Sequence, residues 1–470
     1  MLKHTYQQLD SKLWSLVTPD PLQNPRLVHW NQALFLRLGL ADEWKTKAAD
    51  IFSGNHVPSD AKPIAMAYAG HQFGHFAGQL GDGRGMLLGE VLGKGKDSTL
   101  YDLHLKGAGK TPYSRGGDGR AVLRSSIREY LAGHFLSTCG VASSQSLGLV
   151  SSSTPVQRER MESAAALLRV SDTHIRLGHF EWINAYGAST LTEFTDYVID
   201  RHFPELRELP EDSDVIPALA QIVIQHTAQM IADWQLVGFC HGVMNTDNLS
   251  ITGTTLDFGP YEFMESFDPA RIFNHTDARG RYTYQNQPHI AHWNLSIWAG
   301  QLLPLGEERK ETLQEALDQF APEFLSAYHT GLAAKFGLKD TDETRAFSNS
   351  WLNCLQTHRL DYTNAFVWLT GDTPPLSSGD LSDEAEKDFA KILKQHAKLL
   401  KTESNGHPIR PIRMIPRRHL LDSVIAACEA GEYELLAQVF DALANPYDAP
   451  TNQGWLRPSP DGMGPLSCSS

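Results

Sequence analysis

The spacing of apolar positions predicts strands and helices in the first half of the chain and mainly helices in the second. Residues 86–92 and 101–106 read as two strands joined by the turn Gly93-Lys94-Gly95-Lys96-Asp97. In the second strand Tyr101, Leu103 and Leu105 alternate with Asp102, His104 and Lys106. Lys106 therefore ends a strand on its polar face. Residues 121–138 predict a helix, because Leu123, Ile127, Leu131 and Phe135 recur every fourth position and Gly140 follows as a stop signal. The apolar run 163–170 predicts a strand ending near Arg169. A second helix is predicted over 217–237, with Pro217 in its first turn and Gly238 at its end. Leu219, Ile222, His226, Met230 and Trp234 would form its buried face. A loop over 240–248 and short apolar runs at 249–251 and 254–256 follow. Beyond 290 the pattern is helical, with polar breaks near 304–309, 372–384 and 402–410, and turn chemistry from Asn445 onward. Residues 1–60 form a mixed lead-in, and no internal repeat is visible.

Composition narrows the class. With 41% hydrophobic and 20% charged residues over 470 positions, the chain has ordinary globular composition and enough length to bury a large core. The net charge of −14 argues against a general nucleic-acid binder, so any anion site must come from a local cluster of Lys and Arg. No stretch approaches about 20 consecutive apolar residues, and residues 1–14 lack signal-peptide grammar, so no membrane span is expected. The five cysteines are odd in number and form no CxxC pair, which favours a reducing cytoplasm over a disulfide scaffold or a cysteine zinc site. Cys468 lies in a Gly/Pro/Ser-rich tail, where an exposed thiol would be free to react.

Four constellations bear on chemistry. Gly81-Asp82-Gly83-Arg84-Gly85 precedes a strand, where glycines let backbone N–H groups approach an anion; a tight turn explains it equally well. Lys106 precedes two Gly-rich stretches, Gly107-Ala108-Gly109-Lys110 and Gly116-Gly117-Asp118-Gly119-Arg120, without the order of a Walker A loop. Glu129 follows 23 residues later in a predicted helix, the place where a kinase-like fold keeps the carboxylate that holds its lysine. The run His241 to Asn248, followed by Asp257-Phe258-Gly259, has the spacing of a kinase catalytic loop and DFG motif. Asn248 and Asp257 then fall on the metal-binding positions, and their oxygens suit Mg²⁺ shared with phosphates. Val243, however, stands where the catalytic aspartate belongs; it cannot accept a proton, and Asp247 is the nearest substitute base. Finally, Arg115, Arg120, Arg124, Arg128, Arg169 and Arg176 suggest a polyphosphate, although Arg124 and Arg128 read better as solvated or ion-paired side chains. His71 and His75 have a metal-pair spacing, but their glycine-rich segment favours structural packing.

Together these segments resemble the selenoprotein O (SelO/YdiU) family of protein adenylyltransferases, in a bacterial-type cysteine form. The resemblance is carried by Tyr68-Ala69-Gly70-His71-Gln72-Phe73-Gly74, by Gly78 to Gly85, and by Leu105 to Gly109. It continues through Thr111 to Arg115, Gly117 to Ser125, Arg176 to Glu181, His241 to Asn248 and Asp257, and it ends in the tail Ser467-Cys468-Ser469-Ser470. It implies an α+β, protein-kinase-like bilobal fold with a mainly helical C-terminal region. It also implies transfer of AMP from ATP to Ser, Thr or Tyr hydroxyls with a nucleotide inverted relative to a kinase, and with UMP transfer under Mn²⁺ known in the family. By resemblance, Gly81, Gly83, Arg84, Lys106, Asp118, Gly119, Arg169, Arg176 and Asp257 would bind nucleotide. Asn248 and Asp257 would bind Mg²⁺ or Mn²⁺, Glu129 would orient Lys106, and Asp247 would take the proton. The expected partners are ATP and proteins bearing hydroxyls, with neither nucleic acid nor membrane. Some relatives pair a cysteine after the DFG motif with one near the C-terminus; Phe273 stands at that position here, which puts such a bridge to Cys468 in doubt. The expected organisation is a lead-in over 1–60, an N-lobe-like region over 61–180, a C-lobe-like region over 181–300, a helical extension over 301–444 and a tail over 445–470. Two other readings stay open: a true kinase using Asp247 as base, and a non-catalytic nucleotide-binding protein.

Overall fold

The computed structural model describes every residue except Lys96, Asp212, Asp461 and residues 468–470. The turn prediction at Lys96 and the thiol of Cys468 therefore lie outside the described residues. The lead-in supplies β1 (Trp14–Leu16), β2 (Arg26–Trp30) and the short helices α1 (Gln32–Leu38), α2 (Glu43–Thr46) and α3 (Ala48–Phe52). Next come β3 (Ile64–Tyr68), the small hairpin β4 (His71–Gln72) and β5 (His75–Phe76), β6 (Leu80–Gly81), β7 (Gly85–Leu92) and β8 (Leu100–Lys106). Then follow β9 (Ala121–Val122), α4 (Leu123–Thr138), β10 (Gln145–Gln157) and β11 (Met161–Ser171). The large sheet runs β1-β3-β7-β8-β11-β10-β2, with β6 added to β3 and β9 to β11, and its pairings are antiparallel.

One face of this sheet is oily. Leu103, Leu105, Val150 and Leu168 pack there against Phe35, Trp44 and Phe52 from α1–α3. The opposite face carries the polar alternation of β8, and it is buried. Asp102 meets Arg201, His104 meets Asp82, and Lys106 meets Glu129 of α4. Burying charges costs several kcal/mol each unless they are paired, which is why this face is a chain of ion pairs.

Helices follow: α5 (Leu177–Ile183) and α6 (Ala188–His202), which the periodicity does not single out, then α7 (Val215–Val237) and, after the short pair β12 (Phe239–Cys240) and β13 (Glu262–Phe263), α8 (Gln287–Gly300), where helices are predicted. Beyond these lie α9 (Lys310–Asp318), α10 (Phe320–Lys335), α11 (Asp342–His358), α12 (Tyr362–Val367), α13 (Asp383–Glu403), α14 (Arg418–Glu429) and α15 (Glu434–Leu443). The fold is thus α+β, with a sheet-rich first part and a mainly helical C-terminal region.

Three details differ from the pattern of apolar positions. Helix α4 starts at Leu123, because Ala121 and Val122 pair with Ala165 and Ala164 before the helix begins. Helix α7 starts at Val215, where the Asp214 side chain accepts from Ile216 N at 3.1 Å; Gly238 ends it at φ +72°. Its buried face is broader than one stripe and centres on Leu219, Val223, Thr227, Met230 and Trp234, leaving His226 exposed. That broad face makes α7 long and apolar enough to cross a membrane by length and composition. Here more than half of the apolar stretch is buried, and the helix packs against α8, α9 and α10.

Candidate active site

A cavity of about 450 Å³ opens between the sheet and the segment 243–260. Its walls come from the β6–β7 turn, the loop between β8 and β9, the end of β11, and the residues around Asp257. The chain folds closely at two glycines. Gly81 sits at φ +148°, where a side chain would strike the ring of Tyr113. Gly119 sits at φ +69°, where a side chain would overlap the carbonyl of Gly109. Both allow loop 107–120 to cross over the β6–β7 turn.

At the back of the cavity Lys106 donates to Glu129, and Arg169 donates to the same carboxylate through Nε and, at 3.0 Å, through Nη2. Burial would raise the Glu129 carboxyl, but Arg169 and Lys106 outweigh it and hold it at about 2. Burial pushes the Lys106 ammonium down to about 8, with Glu129 opposing. Both partners stay charged at neutral pH.

Asp257 has the left-handed backbone φ of +59°, uncommon for a residue with a side chain. Its Oδ1 accepts from Arg169 Nη1 at 2.8 Å and its Oδ2 accepts from Arg176 Nη1. Burial alone would raise this carboxyl; Arg176 and then Arg169 hold it well below the usual range. Asn248 donates its Nδ2 to the carbonyl of Val243 at 2.9 Å, which leaves its Oδ1 as the atom available to a ligand. An amide oxygen and a carboxylate on one wall are hard donors, so the residues fit a Mg²⁺- or Mn²⁺-type ion that shares phosphate oxygens. Val243 lines the same wall.

Asp247 lies just behind this wall and is 7% exposed. Gln72 donates to its Oδ2 at 3.0 Å, while Oδ1 has no hydrogen-bond partner. Gly70 faces that bare oxygen; a Cβ there would come within 2.6 Å of it. Burial raises the Asp247 carboxyl to about 6, partly offset by Gln72. Arg176 donates to the Asp247 carbonyl at 2.6 Å and so ties the two aspartate segments together.

This geometry agrees with a comparison of sequences. The profile of the family described as "Protein adenylyltransferase SelO" matches residues 2–409. The chain belongs to the SelO family. The chain is similar to the protein nucleotidyltransferase YdiU of Pseudomonas aeruginosa (strain LESB58), at 40% identity over 97% of this chain and 95% of that one. YdiU of Pseudomonas putida is 40% identical over 99% and 98%, and YdiU of Bacillus cereus (strain AH187) 38% identical over 96% and 94%. Among solved structures, ROP2 of Toxoplasma gondii, described as having a protein-kinase fold and no enzymatic activity, overlaps 62% of this chain and 87% of its own. The identity is 11% and the TM-score 0.27, too distant a likeness to bear on function. As a SelO-family member the chain is a nucleotidyl-transfer enzyme.

In this SelO-family chain the cavity brings together Gly81, Gly83, Arg84, Lys106, Asp118, Gly119, Arg169, Arg176, Asn248 and Asp257, while Glu129 and Asp247 sit one layer behind. Arg84 and Arg115 face the cavity without a side-chain hydrogen bond or ion pair among the described residues. Asp118 is held by Arg158, which donates to it at 2.7 and 2.9 Å. Arg158 lines the cavity too, and nothing in the sequence singles it out; a lone arginine in a turn between two strands carries no local signal. Three of the arginines of the predicted polyphosphate cluster are otherwise engaged. Arg120 lines the rim but donates to Asp20, and Arg124 pairs with Glu162. Arg128 is neither solvated nor ion-paired, contrary to expectation: it is 2% exposed and donates to the Tyr261 carbonyl. His71 is a hairpin residue, its Nδ1 2.6 Å from Glu181, which also accepts from Thr246 beside Asp247. Phe273 is buried among apolar side chains.

Proposed function

We propose that this chain transfers AMP from ATP to Ser, Thr or Tyr hydroxyls of other proteins, with release of pyrophosphate. One observation carries the reading. A cavity furnished with a Lys–Glu pair, oxygen donors for a divalent ion and an arginine cluster has an apolar side chain, Val243, where a kinase keeps its base. Among the described residues the buried carboxylate oxygen without a hydrogen-bond partner belongs to Asp247, four residues after Val243.

In this account the acceptor oxygen attacks the α-phosphorus and the bond from that phosphorus to the β-phosphate bridge oxygen breaks. The hydroxyl proton passes to Asp247, and pyrophosphate departs. Asn248 Oδ1 and Asp257 would hold Mg²⁺ or Mn²⁺, which supplies Lewis-acid neutralisation of phosphate charge. Arg169 and Arg176, which now neutralise Asp257, are then left to meet phosphate oxygens, with Lys106 held in place by Glu129. Arg84 and Arg115 add unpaired guanidinium forks suited to bidentate phosphate contacts. Positioning and fixed charge supply most of the acceleration in phosphoryl-type transfer. The relatives' name, nucleotidyltransferase, specifies no base, so UTP with Mn²⁺ belongs in the same assay.

The test is peptide mass spectrometry of protein acceptors incubated with the enzyme, a divalent ion and either nucleotide. We expect a nucleotidyl adduct on hydroxyl side chains. A phosphoryl adduct alone would overturn the proposal in favour of a kinase.

A further inference from the structure

A second cavity, of about 270 Å³, lies on the flank of α4 away from the nucleotide cavity's Lys106–Glu129 pair. Arg124 and Arg128 of α4, Arg418 of α14, and His275 line it. Part of its wall is the chain near Leu466, pinned by backbone hydrogen bonds from His275 N to Leu466 O (2.9 Å) and from Leu466 N to Phe273 O (2.8 Å).

The charges here do not cancel where they are buried. Arg124 is answered by Glu162 at 3.0 Å and Arg418 by Glu262 at 2.8 Å. Two further carboxylates on the cavity wall, Glu159 and Asp422, are exposed, and Asp422 stands 3.4 Å from Arg418 Nε. Solvent screens such groups strongly. Among the described residues Arg128 has no carboxylate within ion-pair distance, Glu262 and Asp422 acting on it only from farther off. It donates Nη2 to the Tyr261 carbonyl at 2.5 Å, lies 4.5 Å from the Tyr261 ring centre, and leaves Nε and Nη1 without partners. A buried guanidinium without a directly paired anion is costly, so an anion bound beside Arg128 would be favoured.

We propose that this cavity is a binding site for a phosphate-class oxyanion, held by Arg128 with Arg124 and Arg418. Three guanidinium groups and an imidazole converge from three separate segments. That arrangement suits a tetrahedral group with several acceptor oxygens better than a planar carboxylate. The site also has a mechanical place. Arg128 precedes Glu129 in α4, and Tyr261, whose hydroxyl donates to the Arg128 carbonyl at 2.7 Å, lies four residues beyond Asp257. An anion here would clamp α4, the segment after Asp257 and α14 to one another.

The experiment is calorimetric titration of the full chain with inorganic phosphate and, separately, with pyrophosphate, after a non-hydrolysable ATP analogue has filled the nucleotide cavity. We expect saturable binding that weakens by about tenfold or more in Arg124→Ala and in Arg418→Ala, the loss typical of one charge-assisted contact. Binding should vanish in Arg128→Met, and Arg160→Ala, an exposed arginine outside this cavity, should leave it unchanged. Tighter pyrophosphate binding would point to the reaction's own product as the source, an arm that rests on the AMP-transfer reading. Tighter phosphate binding would point to the free anion and is independent of that reading. No saturable binding of either anion, or equal affinity in the wild type and Arg128→Met, overturns the proposal. Should Arg128→Met fail to fold, unchanged affinity in both partly exposed variants overturns it instead.

Discussion

Two aspartates ten residues apart meet opposite fates, and the difference lies in what touches their oxygens. Asp257 is covered by two guanidinium groups and is held ionised; Asp247 has one amide contact and a bare oxygen against Gly70. The first is suited to hold a cation and the second to accept a proton. Asp247→Asn should therefore lower kcat by about 10²–10⁴, the usual weight of a general base, while nucleotide affinity stays near wild type. Retained turnover in that variant would remove Asp247 from the chemistry. At Glu129 the expectation is different. Glu129→Gln leaves Lys106 and Arg169 buried without their shared anion, so stability should drop by about 3–5 kcal/mol. The denaturant midpoint measures this, and a shift within error would show the pair to be dispensable. The Lys106–Glu129 pairing was legible only with the kinase-like pattern and the family resemblance, since spacing alone fits a surface glutamate equally well. The grip of Arg169 and Arg176 on Asp257 was not, because it joins positions 88 and 81 residues apart that only the folded sheet and helices bring together.

At the scale of elements, periodicity found β7, β8, α4, α7 and β11 to within a few residues, because each has a regular apolar face. It left 145–157 unassigned. That stretch is β10, whose register with β11 shifts between Ser151 and Pro155, so its sequence shows no clean alternation. It also read Asp102, His104 and Lys106 as a polar face without showing that the face is internal. Alternation separates two faces but does not say which one meets water. The loop 107–120 depends on backbone shape more than on side chains. Gly119→Ala should distort it through a strained left-handed φ and a clash with the Gly109 carbonyl. We expect ATP affinity to fall by about tenfold or more with the melting temperature little changed, since the loop borders the cavity rather than the core. Equal ATP affinity in a titration of that variant would show that the loop does not shape the nucleotide site.

At the scale of the whole molecule, several histidines are built into the interior as neutral groups. Burial pushes His134 down to about 4 and His179 to about 3, and it lowers His174 and His241 in the same direction. Between those values and the ordinary histidine range near 6.5, the unfolded chain binds more protons than the folded one. Stability must therefore rise with pH through that window and fall as the solution is acidified from pH 7 to pH 5. The raised carboxyls of Asp233, Asp247, Glu262 and Asp361 work in the opposite direction, but the lowered histidines, which also include His29, His202, His329, His396 and His419, outnumber them, and Glu129 and Asp257 contribute only at lower pH. Denaturant midpoints measured at pH 7, 6 and 5 check this; a flat profile would mean that these rings are not held neutral.

On the proposed reading the cavity presents the α-phosphate of ATP, not the γ-phosphate, to a protein hydroxyl. The most direct measurement is transfer of radiolabel to protein from ATP labelled at the α- or at the γ-position, with Asp257→Ala run in parallel. Covalent label is expected from the α-position only, and from neither position in Asp257→Ala. Label arriving only from the γ-position would contradict it.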